Sequence, residues 1–337
     1  MAKSGVIYGA TGTRKTSQVK WFAHYIAEKT GKATFLISLD GGGWEPCDPE
    51  VQAGMILPYR PEMTQLPMII LRKLSQGYWP KDLKETVPEK INLVPINWDV
   101  VGGVAIEGWS SISQAMMRYL PDRGLNVGGE DRSKLGGFRQ EMYVEGQLTR
   151  EDFRSNTRGD YGFVQNHLYG LVMNWNALPC HYVLYTALES KGEDDDRTTV
   201  YGPDIAGKKA ISKSGAWVGD QIHAQDYATP KIVKVPHPVD PKVMVDQTIA
   251  DVTVRFHFKK HPDPVSGILF DAKPRVTPEQ SAKLDQRFPG GYFEPKLDGK
   301  DSFADYLREL DKLSTEQADT LKDWRQRADR KLRPQQP

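Results

Sequence analysis

Apolar runs and polar breaks alternate along the N-terminal part of the chain in a pattern that predicts strands and helices in turn. Gly5-Val6-Ile7-Tyr8 reads as a short buried strand ending in a glycine turn. From Lys15 to Lys29, Val19, Phe22, Ala23 and Ile26 recur at helical spacing. Lys32 to Leu39 is a second apolar strand, closed by Asp40-Gly41-Gly42-Gly43. Strand, loop, helix and strand in this order make a βαβ unit, the seed of a parallel sheet.

Further on, Met68 to Leu74 is expected to be helical, and Ile91 to Asn97 and Val100 to Ile106 to be strands. Asp122 to Gly159 is rich in Gly, Arg and acidic residues with little periodicity, and reads as a mobile insertion longer than most connections inside a compact domain. Helical spacing returns over Tyr161 to Asn176, and His181 to Thr186 is another buried strand. Lys191 to Lys209 is expected to be a polar loop, and a last piece of core lies near Ala216 to Ala224. Pro and charge increase after about Thr229; helices are predicted over Asp301 to Leu313 and Thr315 to Leu332. The turn-rich aromatic segments His261 to Pro264 and Phe288 to Phe293 are expected to cap the core. The expected division is a core over 1–227, with the insertion at 122–159, and a small C-terminal appendage over 228–337.

Composition adds limits. The 337 residues carry 45 basic and 44 acidic side chains, so a net charge of +1 predicts no global attraction to nucleic acid or a membrane surface. Cys47 and Cys180 are the two cysteines, too few for a disulfide framework or a thiolate metal cluster. His167 and His181 have no partner at ligand spacing, and are expected on a helix face and at a strand start. A reducing cytoplasm suits such a chain, and no apolar run is long enough to span a bilayer.

The candidate chemistry is concentrated in Gly9-Ala10-Thr11-Gly12-Thr13-Arg14-Lys15-Thr16. In the G-x-x-x-x-G-K-[ST] pattern, backbone N–H groups wrap a phosphate and the following helix points its positive end at the same anion. Gly9, Lys15 and Thr16 fit, and Gly12 is a further glycine inside the loop. Lys15 is expected on the β- and γ-phosphates and the Thr16 hydroxyl on Mg²⁺, with Ser17 helping at the helix start. Arg14 stands where the second glycine is expected, and either points to solvent or adds positive charge near the γ-phosphate.

A metal-bound phosphate also needs an acid at the same sheet edge, and the strand Val104-Ala105-Ile106 ends on Glu107, read as that acid. Asp40 and Glu45 are the candidates to orient an attacking water, Asp40 being preferred. Thr186 and Glu189 follow the next strand and are candidate γ-phosphate sensors. Positive charge gathers at Lys208, Lys209 and Lys213, a candidate contact to DNA phosphates or a neighbouring subunit. The basic residues of the insertion, Arg132 and Arg139 among them, are diluted by neighbouring acids.

With these residues placed, the chain resembles the small RecA-like P-loop ATPases of bacteriophages. Tyr8 to Thr16 matches their Tyr-Gly-x-x-Gly-x-x-Lys-Thr loop, Thr186 to Glu189 a Thr-Ala-x-Glu strand end, and Pro203 to Gly207 a Pro-x-x-x-Gly loop. The resemblance covers roughly residues 1–227. It implies an α/β, RecA-like P-loop core with a parallel central sheet flanked by helices, and ATP and Mg²⁺ as cofactors. Also implied are a homo-oligomer and single-stranded DNA as partner in phage recombination or replication of the strand-annealing type. The rival expectation is a structural or assembly protein that binds nucleotide with little turnover.

Overall fold

The computed structural model describes residues 2–40, 44–61, 68–87, 90–122, 138–144, 147–153, 158–193, 198–205, 211, 214–236 and 244–315. In chain order the strands are β1 (Lys3–Gly9), β2 (Ala33–Ser38), β3 (Ile56–Tyr59), β4 (Tyr78–Pro80), β5 (Leu93–Pro95), β6 (Val101–Glu107), β7 (Phe138–Val144), β8 (Gln147–Phe153), β9 (Tyr182–Glu193), β10 (Thr199–Pro203), β11 (Asp220–Pro236), β12 (Met244–His257), β13 (His261–Pro262), β14 (Leu269–Phe270) and β15 (Tyr292–Phe293). The helices are α1 (Lys15–Thr30), α2 (Asp48–Gln52), α3 (Met68–Ser75), α4 (Trp109–Asp122), α5 (Arg158–Asn176), α6 (Pro278–Arg287) and α7 (303–315).

Six strands form the parallel centre in the order β3-β2-β6-β9-β1-β11. One strand, β9, therefore separates the loop-bearing β1 from the acid-ended β6. The fold is an α/β arrangement, with helices on both faces of a mostly parallel sheet. Alternation along each strand explains its two cores. Val6 and Tyr8 of β1 and Val183 and Tyr185 of β9 face one layer, where Trp109 and Ile112 of α4 and Leu168 and Trp175 of α5 cover them. Ile7 and Leu184 face the other, against Val19, Phe22, Ala23 and Ile26 of α1.

The sequence-predicted strand at Ile91 to Asn97 shortens to β5, which pairs with β4 in a separate two-stranded sheet. Within the expected insertion, β7 and β8 pair as an antiparallel hairpin. Nor is the polar stretch after Lys191 a simple loop: β9 continues to Glu193 and pairs with β10 from Glu189 onward. The core segment near Ala224 does not end there either. β11 runs through residue 228 to Pro236 and pairs along its length with β12.

The C-terminal aromatic residues bury as a layer over α1. Phe303, Tyr306, Phe288 and Phe293 pack together, with Phe22 of α1 6.4 Å from Phe303 between ring centroids. Helix α6 starts in a full capping box between Thr277 and Gln280, which satisfies two otherwise orphaned N–H groups. Thr315 to Leu332, apart from Thr315 itself, lies outside the described residues. No helix among those described is long and apolar enough to cross a membrane.

Candidate functional site

Open parallel sheets bind ligands beyond the carboxyl ends of their strands, and the candidate residues converge at that edge. Register places them level with one another: Gly9 of β1 lies beside Leu188 of β9 and Ala224 of β11, and Ser38 of β2 beside Glu107 of β6.

The loop between β1 and α1 is held by its own polar groups. Thr13 Oγ1 donates to the Ala10 carbonyl at 2.8 Å. Lys15 Nζ donates to the carbonyls of Gly9 and Ala10 at 2.9 and 2.6 Å and to Thr13 Oγ1 at 3.2 Å. Gly9 is required by close approach, because a Cβ there would sit 2.3 Å from the Ala224 carbonyl oxygen. Gly12 is required by conformation, with φ +88°. Arg14 also adopts the left-handed region, φ 55° and ψ 29°, and its side chain is exposed. The position calls for a glycine on backbone grounds, and arginine occupies it under strain. No side chain caps the start of α1 and no acid stands in its first turn, which leaves its N–H groups directed at the loop. Ala10 and Thr11 are exposed there, and Ser17 is half-buried in the first turn.

Thr16 and Glu107 meet directly: Thr16 Oγ1 donates to the Glu107 carboxylate. Ser38 Oγ donates to its other oxygen at 3.2 Å. Burial pushes the Glu107 carboxyl above its usual range, opposed by these two hydrogen bonds. A hydroxyl and a carboxylate side by side at the loop form the oxygen donor set that suits Mg²⁺. The acid-ended strand expected from the sequence is therefore brought to the loop.

Asp40 accepts from Ser111 Oγ, at the start of α4. Gly108, at φ +86°, allows this approach, since a Cβ would lie 2.4 Å from Asp40 Oδ1. Thr186 Oγ1 accepts from the Gly108 N–H at 3.2 Å, tying the β9 strand to the turn after Glu107. Glu189 accepts from His223 Nε2 at 2.9 Å. Glu45 opens the short turn before α2 and is exposed, apart from the group around Lys15. Lys208, Lys209 and Lys213 lie outside the described residues.

Four carboxylates act on the Lys15 ammonium: Glu189 within β9, Asp40 beyond β2, Asp226 within β11 and Glu107 at the end of β6. Burial lowers the Lys15 pKa to about 8 against the raising effect of these acids. Two of the residues here, Asp226 and His223, were not legible from the sequence. Their strand reads as ending at Ala224, and neither belongs to a motif. Gln225-Asp226-Tyr227-Ala228 does not alternate polar and apolar residues, so local periodicity carries no signal that the strand continues.

No family model and no curated protein matches the chain. Among solved structures it is similar to a KaiC-like protein from the hyperthermophilic archaeon Pyrococcus horikoshii OT3, at 10% identity and a TM-score of 0.32, over 80% of this chain and 89% of that one.

Proposed function

We propose that the chain binds Mg·ATP at the Gly9 to Ser17 loop and hydrolyses it. The observation that carries this reading is the direct contact between Thr16 and Glu107 beside Lys15, on a sheet whose order places β9 between the loop strand and the acid-ended strand. Magnesium held by Thr16 and Glu107 would neutralise charge on the phosphate oxygens. Lys15 exchanges its loop carbonyls for the β- and γ-phosphates, and the N–H groups at the start of α1 face the same anion. Asp40, fixed by Ser111, is the carboxylate assigned to orient water, and Thr186 links the β9 strand end to the turn beyond Glu107.

The test is ATP binding and hydrolysis by the full chain and by Lys15→Ala, with folding checked by circular dichroism. The variant is expected to lose hydrolysis by about a hundredfold or more, the scale seen when a charge-stabilising donor is removed from a transition state. Unchanged hydrolysis in a folded variant removes the catalytic assignment.

The strained Arg14 favours a second reading, a nucleotide-binding assembly protein with little turnover. Tight ATP binding with slow single-turnover hydrolysis would support it. The phage recombination role, with homo-oligomers acting on single-stranded DNA, rests on the resemblance and on the lysine segment at 208–213. Multiple turnover stimulated by single-stranded DNA, and weakened by moderate salt, is the result that would favour it.

A further inference from the structure

On the sheet face opposite α1, behind the phosphate-binding loop, a carboxylate and two imidazole rings are joined end to end. Glu189 Oε2 lies 2.9 Å from His223 Nε2, and His223 Nδ1 lies 3.1 Å from His261 Nε2. His261 Nδ1 lies 3.1 Å from the Lys259 carbonyl. His223 is buried, and its ring stacks on Phe270 at 3.7 Å between centroids. A third ring, His257, stacks on His261 at 3.7 Å.

Counting protons along this chain exposes a deficit. Both ends, the Glu189 carboxylate and the Lys259 carbonyl, are acceptors without a proton of their own. Three links need three protons, whereas two neutral imidazoles carry one N–H each. His261 shows the deficit most plainly. Its Nε2 also lies 3.2 Å from Gln225 Oε1, which already accepts from the Tyr227 hydroxyl at 2.9 Å. Both of its nitrogens thus face oxygen acceptors, the arrangement of an imidazolium. Burial opposes that charge, lowering His223, His261 (to about 4) and His257 (to about 3), and the neighbouring rings lower His257 and His261 further. Geometry and burial pull in opposite directions, so nearby charge decides the outcome.

The nearby charge is at the phosphate site. Lys15, itself influenced by Asp226 of β11, faces the chain from the loop, Tyr8 from β1, and Arg255 and His257 from β12. Asp263 faces it from the turn after β13, with Lys191 of β9 beside it, and Asp271, paired with Lys260, lies beyond β14. Lys15 is the cation acting on Glu189 from the loop, and a bound polyphosphate would engage that ammonium while adding negative charge.

We propose that Glu189, His223 and His261 are the proton-accepting part of the phosphate site: a nucleoside triphosphate bound beside Lys15 draws one proton from solvent into the chain. His223 is the positioning residue that passes the charge from Glu189 to His261. This rests on the P-loop reading and deepens it. Because the complex holds one more proton than the free chain, affinity rises as pH falls, by about tenfold per pH unit between the free and bound pKa values.

The experiment is calorimetric titration of the full chain with ATP and Mg²⁺ at pH 6.5, in two buffers of different ionisation enthalpy, which reads the protons taken up. Uptake close to one proton is expected, falling to near zero in His223→Gln and His261→Gln. Both variants are expected to bind ATP about tenfold more weakly at pH 6 and equally well at pH 8. Should the buried His223 variant fail to fold, the partly exposed His261 variant decides. Binding without proton uptake in the unaltered chain, or uptake that persists in the histidine variants, overturns the proposal and leaves the P-loop reading standing. Absence of ATP binding at any pH overturns both.

Discussion

Replacing Arg14 by glycine should stabilise the protein, although it removes a charged side chain from a phosphate-binding loop. Arg14 sits at φ 55° and ψ 29° with an exposed side chain and no capping hydrogen bond, so the substitution forfeits no cap. An L-residue in the left-handed region costs about 1–2 kcal/mol relative to its usual conformation. Glycine avoids that cost but gives back roughly 0.5–1 kcal/mol through the freedom of the unfolded chain. A net gain of about 0.5–1 kcal/mol follows for Arg14→Gly, and about zero for Arg14→Ala, which keeps the Cβ. Gly12 supplies the mirror experiment. At φ +88°, with nothing within 4 Å of an added Cβ, Gly12→Ala meets no steric obstacle beyond its own backbone and should lose about the same amount. Urea unfolding of the three variants, read at constant slope, measures all of these differences. If Arg14→Gly proves no more stable than Arg14→Ala, backbone strain is not what distinguishes this loop, and the argument from conformation is wrong.

Gly9→Ala should be far more damaging than Gly12→Ala, because its Cβ would meet backbone, 2.3 Å from the Ala224 carbonyl oxygen. A loss of about 3 kcal/mol or more, or loss of ATP binding where the loop shifts instead, is expected from the same unfolding and binding measurements. Asp311 accepts from Lys3, Lys29 and Tyr25 and so ties α7 to β1 and α1. Burial alone would raise its carboxyl, but these partners hold it down at about 2. A depressed carboxylate stabilises fully above its unfolded value of about 3.9 and ceases to do so as pH falls through its folded value. Asp311→Asn should therefore cost about 1–2 kcal/mol at pH 7 and only a few tenths near pH 2, where the carboxyl is half protonated, measured by denaturant unfolding at both values.

Periodicity made most of the parallel centre legible, the edge strand β3 being missed. Each of its loop-proximal strands is an unbroken apolar run, and the Gly9 to Thr16 segment fixes which strand carries the phosphate loop. Glu107 was legible too, because an acid ending a buried strand is conspicuous against the run before it. What escaped was set by tertiary pairing. Lys191-Gly192-Glu193 is polar and reads as loop, yet it extends β9 because β10 supplies the opposite ladder. The strand β11 carries Lys231, Lys234 and two prolines, and it persists because β12 pairs with it as far as Met244. His223 lies far from His257 and His261 in sequence, and the latter two stand on different strands. Only the crossing of β11 with β12 and the turn into β13 brings their rings together, and no local signal marks that meeting.

The four acids around Lys15 explain why the site's two kinds of cation are needed together. Taken alone, Asp40, Glu107, Glu189 and Asp226 repel a polyphosphate, and a single ammonium with a pKa near 8 offsets only part of that charge. Helix N–H groups add roughly half an elementary charge. Thr16 and Glu107 place an oxygen pair where a divalent ion would add two charges, and the histidine chain places a proton store behind Glu189. On the proposed reading each device would act on a different acid, metal on Glu107 and proton on Glu189, while Ser111 holds Asp40. Because Glu107 and Glu189 leave opposite faces of the sheet yet both act on Lys15, removing magnesium and raising pH should each weaken nucleotide binding, and together by an amount that departs from the sum of the two.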